Sequence, residues 1–229
     1  MHPHRLAAAL LAALALAGCG SDSTAPSGDM ARVRMVNASP DAGDLDISID
    51  GGSSIRELPY RGYTVYFPVL QGARDFQVFR PGEPDPVVVT SPTFAAGHDY
   101  SFIAANRLAL IEALVLEDDN SAPAAGSARV RVVHAAPGAP ALDIYLTGPG
   151  DDLAAAAPIA TNIGYRGVAP AVQVPAGDYR VRMTNAGTTT VVIDTGTLTL
   201  AADAGRTVMA LDNTGGGAPF AAVVLPDRN

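Results

Sequence analysis

The sequence predicts an all-β protein: two tandem antiparallel β-sandwich domains, immunoglobulin-like or transthyretin-like. Three observations predict it. The chain repeats itself once, apolar and polar residues alternate with period 2 along many short runs, and turn formers interrupt those runs every 8 to 12 residues or so.

The repeat is read directly. Ala31–Pro40 aligns without a gap on Ala128–Pro137, and Leu45-Asp46-Ile47 falls on Leu142-Asp143-Ile144. Over the twenty residues from each start eleven are identical, and the offset is 97 residues. That period is too long for a solenoid or propeller and suits one small domain. The predicted organisation is a leader at 1–18, a lipidated Cys and tether at 19–30, a first sandwich at 31–120, a linker at 121–127 and a second sandwich at 128–229.

The leader carries Arg5 between His4 and an unbroken apolar run of 11 residues, Leu6 to Leu16. A bilayer span takes about 20 apolar residues, so the run reads as a signal peptide rather than a membrane helix. It ends in Leu16-Ala17-Gly18-Cys19, which resembles a bacterial lipobox, and Cys19 is the only Cys in the chain. The alternative is an ordinary secretory signal with an incidental Cys. A diacylated Cys19 anchors stably because each buried methylene contributes about 0.8 kcal/mol. Gly20 to Met30 is polar and rich in turn formers; as a random coil its 11 residues span about 17 to 20 Å.

Within the first repeat, Ala31, Val33 and Met35 alternate with Arg32 and Arg34, predicting a strand with one buried and one wet face. Leu45, Ile47 and Ile49 alternate with Asp46, Ser48 and Asp50 before Gly51-Gly52 closes the strand. Further runs at 63–67, 74–80, 87–94, 99–105 and 110–116 bring the expected total to seven. Pro81–Pro86 and Ala95–His98 punctuate them. The second repeat follows the same order, with Asp151–Ala157 as one helical turn in a loop inserted there. Ser121–Ser127 is short and contains Pro, which predicts closely spaced domains.

Arg32–Ala42, the Leu-Asp-Ile strand and Val174-Pro-Ala-Gly-Asp-Tyr-Arg-Val181 together resemble the bacterial domain of unknown function numbered 4397, in two tandem copies. That resemblance implies exported proteins and lipoproteins and supplies no activity. In the first copy the Pro-Ala-Gly-x-Tyr element has drifted to Leu70–Phe76, with two extra residues after Gly72.

Composition narrows the function classes. No Lys occurs, the net charge is −8, and loss of Arg5 with the leader makes it −9. Such a surface repels phosphate backbones, so no nucleic-acid partner is expected. Beyond the leader the chain has two His, His98 and His134, and no Gly-x-Ser-x-Gly elbow, so no catalytic residue, cofactor or metal is assigned. His134 aligns with Asn37, where either side chain can bond the local backbone. Asp41, Asp44, Asp46 and Asp50 lack the Gly and Glu of an EF-hand, leaving a solvated acidic face or a loop calcium site.

Tyr60-Arg61-Gly62 recurs as Tyr165-Arg166-Gly167. Tyr and Arg are enriched at binding hot spots, which makes Tyr60, Arg61, Tyr165 and Arg166 ligand-binding candidates. The alternative is a Tyr packed on the sandwich end beneath a solvated Arg. The expected protein is lipid-anchored in the cell envelope, non-catalytic, with an envelope glycan or protein partner. A cell-wall glycan or peptide hydrolase, or its accessory module, is the alternative. Gly20 and Ser21 favour the outer membrane if the source is Gram-negative.

Overall fold

The structure, a computed structural model, describes residues 29–228. The signal peptide and the lipidation site Cys19 lie outside the described residues. The first repeat runs β1 (Met30–Ala38), β2 (Leu45–Ile49), β3 (Gly52–Leu58), β4 (Phe67–Leu70), β5 (Gly72–Ala73), β6 (Phe76–Phe79), β7 (Val88–Thr90), β8 (Thr93–Phe94), β9 (Asp99–Ala105) and β10 (Glu112–Asp118). The second runs β11 (Ser127–His134), β12 (Leu142–Thr147), β13 (Ala160–Ile163), β14 (Val168–Pro175), β15 (Gly177–Asn185), β16 (Val191–Leu200), β17 (Gly205–Leu211) and β18 (Ala221–Arg228). Among the described residues two short 3₁₀ turns, Leu108–Leu110 and Leu153–Ala155, interrupt the strands.

Each repeat is a sandwich of two four-stranded sheets. The first has β10-β9-β1-β4 over β3-β2-β6-β7, and the second β14-β11-β17-β18 over β13-β12-β15-β16. The pairing is antiparallel except that β1 lies parallel to β9 and β11 parallel to β17. The alternating residues read from the sequence fill the interiors: Ala31, Val33, Met35, Leu45 and Ile47 pack with Phe76, Phe94 and Phe102 in the first repeat. In the second, Ala128, Val130, Val132, Leu142 and Ile144 take the places of the first five and pack with Val181, Met183 and Val208. The Phe76 and Phe102 rings stack at 4.7 Å, whereas the second core is aliphatic at its centre, with Tyr179 and Phe220 packed at its margin.

Among the described residues the first repeat forms ten strands where seven are expected: β3 and β5 are additional, and the run at 87–94 splits into β7 and β8. Residues 63–66 are irregular, held to β1 by a Val36–Tyr63 bridge and by Thr64 N–H to Met35 C=O and Met35 N–H to Thr64 Oγ1, and the strand begins at Phe67. β3 goes unpredicted because its pairing with β2 shifts register twice and Glu57 adopts φ +51°, so Ile55 and Leu58 fall out of period-2 alternation.

The wet face predicted for β1 is the larger correction. Arg34 is 1% exposed, because the two repeats pack their β1 and β11 sheets against each other. Val36, Ala38, Ile103 and Ala105 of the first repeat meet Val133, Ala135, Met209 and Leu211 of the second in a separate apolar cluster. These are equivalent positions in the two copies. Beside them Arg34 pairs with Asp227 at 2.7 Å, and Arg131 pairs with Asp118 at 2.6 Å. Arg34 Nε donates to Ser101 and Arg131 Nε to Thr207, and those hydroxyls donate onward to Asp118 and Asp227. Tyr66 donates a further bond to Asp118 at 2.6 Å. Residue i of one copy thus meets residue j of the other and the reverse, as in an isologous dimer.

Such a buried pair gives little net stability against an apolar replacement, but removing one partner strands the other. Arg34→Ala should therefore lower unfolding free energy by about 3–5 kcal/mol, measured by urea denaturation. Arg56→Ala, at an exposed pair with Asp46, should cost less than about 1 kcal/mol. Equal losses would show that the junction carries no special load.

Candidate functional site

The four Tyr and Arg candidates sit in two matching turns at the junction between the repeats. Gly62 N–H donates to Pro59 C=O at 2.8 Å and Gly167 N–H to Gly164 C=O at 2.8 Å, closing turns whose third residues are Arg61 and Arg166. Both arginines are left-handed, at φ +66° and +68°, a conformation costing about 1–2 kcal/mol for a side chain with Cβ. The following residue must be Gly, since a Cβ on Gly62 or Gly167 would lie 2.7 Å from the carbonyl that the turn bonds.

Backbone bonds hold each turn in place. Arg61 N–H donates to Asn37 C=O and Asn37 N–H to Gly62 C=O; Arg166 and Gly167 pair with His134 in the same way. The side chains then reach across the junction. Tyr60 Oη and Arg61 Nη2 each donate to Asp212 C=O at 2.7 Å, while Tyr165 Oη and Arg166 Nη1 engage Glu112 at 3.1 and 3.0 Å. Burial pushes both phenols above their ordinary range, for Tyr165 with help from Glu112, so both remain donors. Both candidate pairs thus contact the opposite repeat.

Beneath the turns, Asn37 and His134 occupy equivalent buried positions. Asn37 Oδ1 accepts from Ser39 N–H and its amide donates to the Gly43 and Leu58 carbonyls. His134 Nδ1 accepts from Ala136 N–H, which makes Nε2 the donor to Pro140 C=O at 3.0 Å. Burial holds the imidazole below its usual range. Asp212, also buried, accepts from the Gly138 and Gly217 N–H groups.

The acidic residues of the first repeat are spread over separate tasks. Asp46 binds Arg56 and Glu57 N–H, Asp41 accepts from Leu108 N–H, and Asp50 accepts from Asp75 N–H. Burial raises the Asp46 carboxyl, but the Glu57 and Arg56 bonds outweigh it and hold the group low. Among the described residues no three His, Cys, Asp or Glu converge as metal ligands. The exposed His98 ring bonds Glu117.

The structure also shows a surface that the sequence reading passed over. The outward face of β2 and β6, with the β6–β7 loop, forms an open groove of about 520 Å³. Ser48, Gln77 and Phe79 floor it, and Arg56, Arg80 and Glu83 rise around it. The equivalent face of the second repeat is closed. There the β12–β13 connection folds back, Leu153 is buried, and Arg182 donates to Thr147 Oγ1 at 2.7 Å and Asp151 C=O at 2.9 Å. Strand pairing places Ser48 beside Gln77 and Tyr145 beside Arg182, so two shorter side chains stand where the second repeat has two longer ones. The Ser48–Tyr145 mismatch within an otherwise close alignment was the available signal.

The family described as Domain of unknown function (DUF4397) matches residues 31–145 and 148–229. No curated protein is significantly similar. Among solved structures, an α-glucan-binding streptococcal virulence factor is 10% identical, with 78% of this chain and 91% of that one covered and a TM-score of 0.26. Family 41 carbohydrate-binding modules of streptococcal virulence factors are 12% identical, covering 83% and 95%, with a TM-score of 0.27. A family 26 module from Eubacterium rectale, solved with maltoheptaose, is 11% identical, covering 86% and 96%, with a TM-score of 0.27. Likenesses at such TM-scores carry no argument about what this chain binds.

Two outcomes follow from this geometry. Arg61→Ala should cost about 1–2 kcal/mol, since it removes a charged donor from the carbonyl of a buried residue. Arg166→Ala, whose side chain is 58% exposed, should cost less than about 1 kcal/mol. Thermal melts of the two single variants would show the asymmetry; equal, negligible shifts would free these arginines from a tethering role. The depressed His134 means that the unfolded chain takes up the proton first. Its contribution to stability is full above the unfolded value of about 6.5 and declines as pH falls below it. His134→Asn, copying the first repeat, should flatten the fall in melting temperature between about pH 7 and pH 5; an unchanged slope would place the effect elsewhere.

Proposed function

Since the chain belongs to the DUF4397 family, in two segments consistent with tandem copies, we propose that it is a lipid-anchored, non-catalytic binding protein of the cell envelope. The two sandwiches act as one rigid unit, held off the membrane by the tether after Cys19 and recognising an envelope glycan or protein. Gly20 and Ser21 direct it to the outer membrane in a Gram-negative host.

The observation that carries this reading is how the polar groups are used. Arg34, Arg131, Asp118, Asp227, Asp212 and His134 are each engaged by neighbours within the fold. An enzyme needs nucleophile, base or electrophile free to meet a substrate in a cleft. Here Arg34, Arg131, Asp118 and Asp227 hold two sheets together, His134 and Asp212 brace loops, and the open surface is a sheet face suited to recognition. Lipobox and tether support the anchored location, since the single Cys stands where acylation requires it.

The test has two arms. Metabolic labelling with a fatty acid should mark the wild-type protein and not Cys19→Ala; equal label in both would remove the anchor. Immobilised full-length protein should retain material from solubilised envelopes in its native but not its heat-denatured form. Turnover of cell-wall glycan or peptide by the native protein would replace binding with hydrolysis.

A further inference from the structure

We propose that the groove over Ser48, Gln77 and Phe79 in the first repeat binds a short peptide segment of a partner protein. The segment would lie as the chain's own 148–157 loop lies on the second repeat. The inference rests on the binding reading above and names the site and the ligand class for it.

The second repeat displays the occupant. Its β12–β13 connection crosses the outer sheet face, buries Leu153, and offers the Asp151 carbonyl to Arg182. A second carbonyl, that of Pro149, meets Arg180 at 3.4 Å. Peptide backbone is therefore what the arginines of this face take up when it is covered, and the same connection buries one aliphatic side chain, Leu153. Tyr145 and Thr147, outward-facing residues of β12, are each only 7% exposed beneath that cover.

In the first repeat the cover is missing, because Asp50 and Gly51 turn the chain directly from β2 into β3. The face is also hollowed, with Ser48 in place of Tyr145 and Gln77 in place of Arg182. Ser48 Oγ is turned back onto Gly52 C=O, whereas the Gln77 amide makes no side-chain hydrogen bond among the described residues. A primary amide has both a donor and an acceptor, the pair needed to read one peptide unit. Phe79 stands at the position of Thr184 and supplies an apolar floor for an aliphatic or aromatic side chain. Arg80, exposed and without an ion pair among the described residues, stands on the rim beside Glu83. An acidic residue flanking the apolar one would meet it.

Reverting the hollow tests the idea. Ser48→Tyr with Gln77→Arg rebuilds the second repeat's side chains and fills the groove without touching the junction. Full-length protein is panned against a displayed library of random short peptides and, separately, an array of envelope oligosaccharides. The expected result is enrichment of peptides with an aliphatic or aromatic residue beside an acid, bound at least about tenfold more weakly by the double variant. Thermal melting establishes that the variant is folded; if it is not, Phe79→Thr, copying Thr184, takes its place. No enriched peptide, or peptides binding wild type and variant alike, overturns the proposal. Oligosaccharides that bind wild type and are lost in the variant overturn the peptide class and keep the groove. Envelope retention that persists in the variant sinks the groove alone, whereas loss of retention by wild type sinks the binding reading itself.

Discussion

The reciprocal pairing of Arg34 with Asp227 and Arg131 with Asp118 is the constraint on which the arrangement of the two repeats depends. A guanidinium that is 1% exposed is tolerable only if every face of it is answered, and Ser101, Thr207, Tyr66 and two carboxylates answer it. The apolar cluster alongside supplies the driving force, because burial of Val36, Ile103, Val133 and Met209 is non-directional. The charges supply the register. An apolar patch alone would allow the sheets to slide, whereas the ion pairs close in one alignment.

The Tyr-Arg-Gly turns extend that alignment to the edge of the junction. A left-handed Arg is a strained choice for a position where Gly or Asn is usual, yet both copies have it. The strain is offset by backbone bonds to Asn37 or His134 and by the reach of Tyr and Arg to the opposite repeat. Asn37 and His134 show how one local task accepts two residue types: each has an acceptor for the N–H two residues on and a donor for a loop carbonyl. Burial keeps the imidazole neutral, so it can fill both roles.

Duplication has left the centre of the junction symmetric and the outer faces unlike. The sheets that meet use equivalent residues from both copies. The sheets that face outward differ by the 148–157 loop and by the exchange of Ser48 and Gln77 for Tyr145 and Arg182. Surfaces facing each other are constrained by one another's shape, and outer surfaces are free to diverge. The open groove of the first repeat is where that freedom leaves recognition chemistry uncovered.

The amino-acid sequence alone determined the repeat, the all-β class and the inward-facing residues. Each of these is local, carried by spacing along the chain: Ala31, Val33 and Met35 are buried as alternation requires. It did not determine β3, whose bulged pairing with β2 erases the period, nor the fate of Arg34. Alternation assigns Arg34 to the face away from its own core and cannot say whether water or another sheet covers that face. The tertiary structure decided this, because Asp227 lies 193 positions further along the chain and meets Arg34 only when the two sandwiches are assembled. The groove belongs to the same class. Ser48 and Gln77 are ordinary polar residues in sequence, and become a concavity only through what the fold places around them and leaves off them.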